Sequence, residues 1–229
     1  FMYFYAAIIY YIATMIKARG QKMPKQVYFS GTGSKMLNIL GGHSQVEEFT
    51  RLIIEKVSGE AYKEHFEVKV EKDQPKQITC RGGVRLENKR LEGKENSEMY
   101  SPRNINRIKY CYSMIDDREL TFGDVNKQDI RAIIVDKVLE FNQFFLSLLS
   151  TDVCDEFGID KKVQNLFASV VNDDVSNYLT AGINSYLAGR YGDDDVVEDV
   201  PFFYPIVGVI RHNLLKNLCH EVISRYGIN

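Results

Sequence analysis

Gln26-Val-Tyr-Phe-Ser-Gly-Thr-Gly-Ser-Lys-Met-Leu-Asn-Ile-Leu40 is the stretch whose reading decides the fold. Val27, Tyr28 and Phe29 are a short run of β-favouring residues. Ser30, Gly31, Thr32, Gly33 and Ser34 follow as a glycine-rich turn, and a helical pattern runs from about Lys35 to Leu40. Strand, glycine turn and helix in immediate succession is how many proteins build a nucleotide site. Glycine lets the backbone approach a phosphate or ribose closely, and the first N–H groups of a helix point at the ligand. The same string also reads as a glycine-rich connection with no ligand, so its neighbours decide between the two.

Upstream, Phe1 to Ile16 carry no charge, and Lys17 and Arg19 follow. The run is short for a bilayer, which needs about twenty residues. No basic segment precedes it, as a signal peptide requires. Tyr3, Tyr5, Tyr10 and Tyr11 suit a packed interior with polar edges, so a buried helix over Met2 to Ala18, stopped by Gly20 and Pro24, is expected. The chain opens on Phe, which suggests a piece of something longer.

Downstream, Gly41-Gly42 breaks the short helix. Ser44-x-x-Glu47 has the form of a capping box for a helix in which Val46, Phe49, Ile53 and Val57 recur at helical spacing, and Gly59 ends it. Phe66, Val68 and Val70 alternate with Glu67, Lys69 and Glu71, a strand with one buried face. Pro75 suits the first turn of a helix starting near Gln74. Residues 87–106 mix charges of both signs with few apolar residues and read as a linker or exposed excursion. Beyond them, residues 107–229 read as mainly helical. A β-hairpin is expected over Arg107–Ser113 and Glu119–Phe122, with helices from Asn126, over Lys161–Val171, over Asp174–Leu187 and over Val207–Arg225. In the first of these helices Ile130, Ile134, Val138, Phe141, Phe145 and Leu148 form one stripe.

The composition bounds the chemistry. With 229 residues, 45% hydrophobic residues, 14 Tyr and 13 Phe, the chain is a folded one with a substantial core. A net charge of -2 gives no basis for a nucleic-acid or anionic-membrane partner. Cys80, Cys111, Cys154 and Cys219 are far apart and form no CxxC pair. They read as free thiols of a cytoplasmic protein.

The order helix, strand, glycine turn, helix, amphipathic helix, strand, Pro-initiated helix resembles the C-terminal lobe of the actin, heat-shock-chaperone and sugar-kinase superfamily of ATPases. Two blocks carry the likeness. Val27 to Met36 is similar to that superfamily's adenosine motif, and Gln74-Pro-Lys-Gln-Ile-Thr-Cys-Arg-Gly-Gly83 to the Pro-x-x-Ala-x-x-x-Gly start of the helix after the next strand. The resemblance covers residues 1–86. It implies an α/β, ribonuclease-H-like partial lobe followed by a mainly α-helical C-terminal region. It further implies a nucleotide, ATP with Mg2+, held on its adenosine side by Gly31, Thr32, Gly33, Ser34 and Lys35. Thr32 and Ser34 would add hydroxyl donors. Lys35 stands where related chaperones present an arginine that stacks on adenine, and it lacks the planar guanidinium. The superfamily's Asp-bearing glycine hairpin and its second acidic motif do not occur in this sequence. The magnesium ligands are therefore expected on sequence before Phe1, and ATP hydrolysis only in a longer chain. A non-catalytic assembly or interaction protein that keeps the lobe, with a protein partner or self-assembly, is the rival reading. A small-molecule kinase fragment is the third.

Other patterns point elsewhere or nowhere. The turn is not a P-loop, which has a longer loop before its lysine. Gly192-Asp-Asp-Asp-Val-Val-Glu-Asp199 lacks the Asp-x-Asp-x-Asp-Gly order of a calcium loop and reads as solvated. His43, His65, His212 and His220 show no metal-ligand spacing, and no Gly-x-Ser-x-Gly elbow occurs. Phe202-Phe-Tyr-Pro205 reads as an aromatic knot packing the last helix, with a partner surface as the alternative.

Overall fold

A computed structural model describes residues 1–18, 20–62, 65–71, 128–152 and 156–170, with scattered helical positions at 77–88, 175–180 and 219–224. The described chain is mixed helix and strand, mostly helical, with a two-stranded parallel sheet. In order these are α1 (Met2–Ala18), β1 (Gln26–Phe29), a 3₁₀ helix (Thr32–Leu40), α2 (His43–Ser58), β2 (Glu67–Val70), α3 (Gln128–Leu149) and α4 (Lys161–Val170).

The sheet pairs Gln26 with Glu67, Val27 with Val68, Tyr28 with Lys69 and Phe29 with Val70. Two parallel strands need a crossover, and the 3₁₀ helix and α2 supply it. The Glu67 N–H donates to Lys25 O at 3.0 Å and the Glu71 N–H to Phe29 O at 2.9 Å. Residues 67 and 71 thus face β1, and Val68 faces the outer edge, where its N–H donates to the Glu47 carboxylate of α2 at 2.9 Å. One glutamate thereby satisfies a strand-edge donor that would otherwise lie open.

Helix α1 is the centre of the core. Apolar nearly all round, it buries nearly all round, with Tyr3, Tyr5, Ala6, Ala7, Tyr11 and Ala13 among its most enclosed residues. On one side it packs along α2. Tyr5 stacks near Phe49 and Phe29 and shares a hydrogen bond with the Thr50 hydroxyl. The Lys17 ammonium donates to Val57 O at 2.7 Å, satisfying a carbonyl in the last turn of α2. On its other side α1 meets α3 and α4. The Tyr3 ring lies 5.2 Å from Phe141 and 5.0 Å from Phe145 and from Phe167, and its hydroxyl donates to Asn142 Oδ1. Described residues from Met2 to Val68 and from Val138 to Val175 therefore contribute to one hydrophobic core. No described helix is long and apolar enough to cross a membrane.

Three expectations shift. The turn does not lead to an α-helix at Lys35; the 3₁₀ helix begins at Thr32. Its buried residues, Ser34, Leu37 and Leu40, recur every three residues, the period of that helix. Helix α2 is capped two residues before the expected Ser44, because the Gly42 N–H donates to the Gln45 side chain. Glu47 is engaged by β2 instead. The third concerns α4, which starts on an Asp160 carboxylate accepting the Val163 N–H at 2.9 Å, a cap not foreseen. In α3 the expected stripe is buried at Val138, Phe141, Phe145 and Leu148. The hairpin at 107–122, the 87–106 linker, the acidic run and Phe202–Pro205 lie outside the described residues. So do the start of the Pro75 helix, although Gln77, Cys80, Arg81, Val84 and Arg85 are helical, and most of the last two helices.

Candidate functional site

Both strands run the same way, so their carboxyl ends open on one edge of the sheet. The glycine turn leaves β1 there, and Glu71 leaves β2 there. Gly31 has φ 92° and ψ 163°, and Gly41 has φ 96° and ψ -149°. Both conformations are essentially reserved for glycine. The 3₁₀ helix is thus bracketed by two glycines that aim the chain into and out of it. Within the bracket the Ser34 N–H donates to Gly31 O at 3.1 Å and the Gly41 N–H to Asn38 O at 3.4 Å.

A cleft of about 410 Å³ lies between this helix, the start of α2 and the end of β2. Leu37, Val46 and Val70 give it apolar walls, and Lys35, Asn38, His43 and Glu71 bring polar groups. Lys35 is exposed and makes no ion pair among the described residues. Glu71 accepts from the Tyr28 hydroxyl at 2.8 Å, and that bond raises the Tyr28 pKa above its ordinary value. The His43 ring lies 3.9 Å from the Glu47 carboxylate.

Of the five residues expected at a nucleotide, Lys35 lines the cleft, and Gly31, Gly33 and Ser34 are not among its described lining residues. Ser34 is buried and its hydroxyl donates to Gly31 O at 2.7 Å, so that donor is engaged inside the turn. The side chain of Thr32 lies outside the described residues. Gly33 has an ordinary φ, and a Cβ built on it meets nothing within 4 Å. Gly41, Gly42, His43 and Glu71 were not singled out for a ligand, yet they line the cleft. The signal for them was positional: each lies just past the carboxyl end of a strand or at the start of the crossover helix, where open α/β sheets receive ligands. Among the described residues no three His, Cys, Asp or Glu side chains gather as metal ligands. Comparison with protein-family models, curated proteins and solved structures gave no match to this chain.

Proposed function

We propose that this chain binds a nucleotide, ATP with Mg2+, as the adenosine side of a two-lobed cleft in an actin-like or chaperone-like ATPase of ribonuclease-H-like fold. The observation that carries the reading is Gly33. Gly31 and Gly41 are glycines because the backbone requires it; Gly33 has an ordinary φ and open space where its Cβ would be. A glycine inside a helix costs stability relative to alanine. Among the described residues nothing lies where its side chain would be, and close approach of a ligand to the backbone would account for the glycine. The neighbouring cleft supports the same reading, with Lys35 as an uncommitted cation for phosphate and apolar walls for a sugar or base.

A second reading, an interaction or assembly protein that keeps the lobe without ATP, has its own observation. Met36 and Ile39, three apart on the 3₁₀ helix and so on one face, are 50% and 66% exposed. The two readings separate in a thermal-shift measurement on the full-length protein with ATP and magnesium. Saturation to about a hundred times Kd stabilises by about 2.7 kcal/mol, which raises Tm by about 5–10 °C in a chain of this size. Lys35→Glu and Gly33→Val, both at exposed positions, should fold normally and lose most of that rise. No rise in the unsubstituted protein, or an undiminished rise in both variants, would refute nucleotide binding.

A further inference from the structure

We propose that residues 107–113 of this chain add a strand to the outer edge of β1 and fill the apolar groove beside it, independently of any nucleotide. In a parallel ladder, alternate residues turn their backbone groups towards the partner strand. The bonds from the Glu67 N–H to Lys25 O and from the Glu71 N–H to Phe29 O set Lys25, Val27 and Phe29 towards β2. Gln26, Tyr28 and Ser30 therefore turn their N–H and C=O groups the other way, and no hydrogen bond among the described residues uses them. An open strand edge is a template for a further strand. Beside it, between β1 and α1, runs a groove of about 310 Å³. Ile9, Ile12 and Ile16 of α1 line one wall, and Val27 and Phe29 of β1 the other. Ile12 is 43% exposed on a helix that is otherwise nearly all buried.

The edge calls for an extended segment, and the groove calls for apolar side chains at every second position. Arg107-Ile-Lys-Tyr-Cys-Tyr-Ser113 meets both demands, since Ile108, Tyr110 and Tyr112 alternate with Lys109, Cys111 and Ser113. Gln26 to Ser30 spans about 16 Å at ~3.3 Å per residue, and the three apolar positions of the segment would span about 13 Å. Charge agrees as well. Val27, Phe29, Val68 and Val70 share the sheet face that packs on the core, so Gln26, Tyr28, Glu67, Lys69 and Glu71 share the other, which is net negative. With Ile108, Tyr110 and Tyr112 in the groove, Arg107 and Lys109 would come out on that negative face. The connection is long enough. Helix α3, which follows the segment, packs on α1, the helix that walls the groove. The roughly 15 steps from Ser113 to Gln128 reach about 50 Å when extended. Helix α1 itself is only about 25 Å long.

Amide exchange followed residue by residue by NMR on the full-length protein tests the pairing, with Tyr110→Asp as the variant. The Tyr28 N–H should exchange about a hundredfold more slowly than an unstructured amide, and Tyr110→Asp should remove most of that protection. The Phe29 N–H, which faces β2, should stay protected in both proteins and so report that the variant folds. Disulfide trapping gives a second reading that leaves the segment unchanged. Gln26 and Tyr28 lie on the sheet face where Cys111 would emerge, so Gln26→Cys or Tyr28→Cys should join Cys111 within one chain under mild oxidation. Lys69→Cys, one strand further from the segment, should not. A Tyr28 N–H that exchanges freely in the unsubstituted protein overturns the proposal. So does protection that survives Tyr110→Asp with no disulfide to Cys111, which would give the edge to another occupant. That occupant is a second copy if the protection rises with protein concentration, and another segment or protein if it does not.

Discussion

Replacing Gly31 and Gly33 one at a time by alanine separates what the fold asks of the turn from what a ligand would ask. At Gly31 the backbone sits at φ 92° and ψ 163°, a region open almost only to glycine. The cost does not come from crowding, since an added Cβ would meet nothing within 4 Å. It is the local clash between a Cβ and its own peptide groups, about 1–3 kcal/mol for such conformations. In a chain of this length each kcal/mol moves Tm by about 2–4 °C, so Gly31→Ala should lower Tm by about 2–12 °C. Gly33 is two residues away, and the sign reverses. Its φ is one that alanine adopts and its Cβ would enter open space. Alanine there restricts mainly the unfolded chain and should stabilise by about 0.4–1 kcal/mol. Thermal and urea unfolding followed by circular dichroism, without nucleotide, reads both. A Gly31→Ala protein as stable as the parent, or a Gly33→Ala protein as damaged as Gly31→Ala, would refute the account of the turn.

Further predictions concern the core. Burial raises the pKa values of Tyr3 and Tyr5 above that of a free tyrosine, as does burial of Tyr62, pushed up to about 12. Raised values mean that the stabilisation is complete below the unfolded pKa of about 10 and is lost as pH rises past it. Unfolding free energy should then fall by about 1.4 kcal/mol per pH unit for each of Tyr3 and Tyr5. A double Tyr3→Phe, Tyr5→Phe variant should lose most of that slope in denaturant titrations between pH 9 and about 11. Phe141 is fully buried between Tyr3 and Tyr10, at ring distances of 5.2 Å from each. Phe141→Ala should cost about 3–5 kcal/mol and, because that core is shared, destabilise α1 and α2 together with α3. Hydrogen exchange showing α3 loosened while α1 stayed protected would contradict a shared core.

Much of this architecture was legible because it rests on local chemistry. The uncharged Phe1–Ile16 run, with its tyrosines spaced through it, announced a buried helix with polar edges, and Asn142 and Thr50 bond the Tyr3 and Tyr5 hydroxyls. The alternation around Val68 gave β2, and Gly59, at φ 81° and ψ 10°, ends α2 in the left-handed cap its sequence position suggested. The 3₁₀ helix was not legible, because Leu37 and Leu40 satisfy a period of 3.0 and one of 3.6 equally over so short a run. The positive φ values at Gly31 and Gly41 bound that helix at both ends, and a backbone angle leaves no mark in the sequence beyond the glycine itself. Which partners α1 would take was equally hidden. The contacts from Tyr3 to Phe141 and Phe167 join positions more than a hundred residues apart, and a stripe of aromatics states that it will be buried without stating against what.

The glycines of the turn thus divide into two kinds, and the division bears on function more than their number does. A glycine-rich string invites a ligand reading as a whole, yet Gly31 and Gly41 are accounted for by backbone angles that the 3₁₀ helix requires at its two ends. Ser34 is likewise accounted for, closed onto Gly31 O inside the turn. Removing these from the argument leaves Gly33 and Lys35, one a glycine that the fold does not require, the other a lysine without an ion-pair partner among the described residues. Where local choices agree with the fold they carry no further information. Where they run against it, a requirement from outside the chain is the explanation we propose. Gly33 runs against it by giving up helix stability at an exposed position, and Lys35 lines the cleft beside it. On the proposed nucleotide reading, an anionic ligand would pair with Lys35, and its passage along the backbone would account for Gly33. An apolar protein partner seated on Met36 and Ile39 would account for neither Gly33 nor the placement of Lys35 at the cleft.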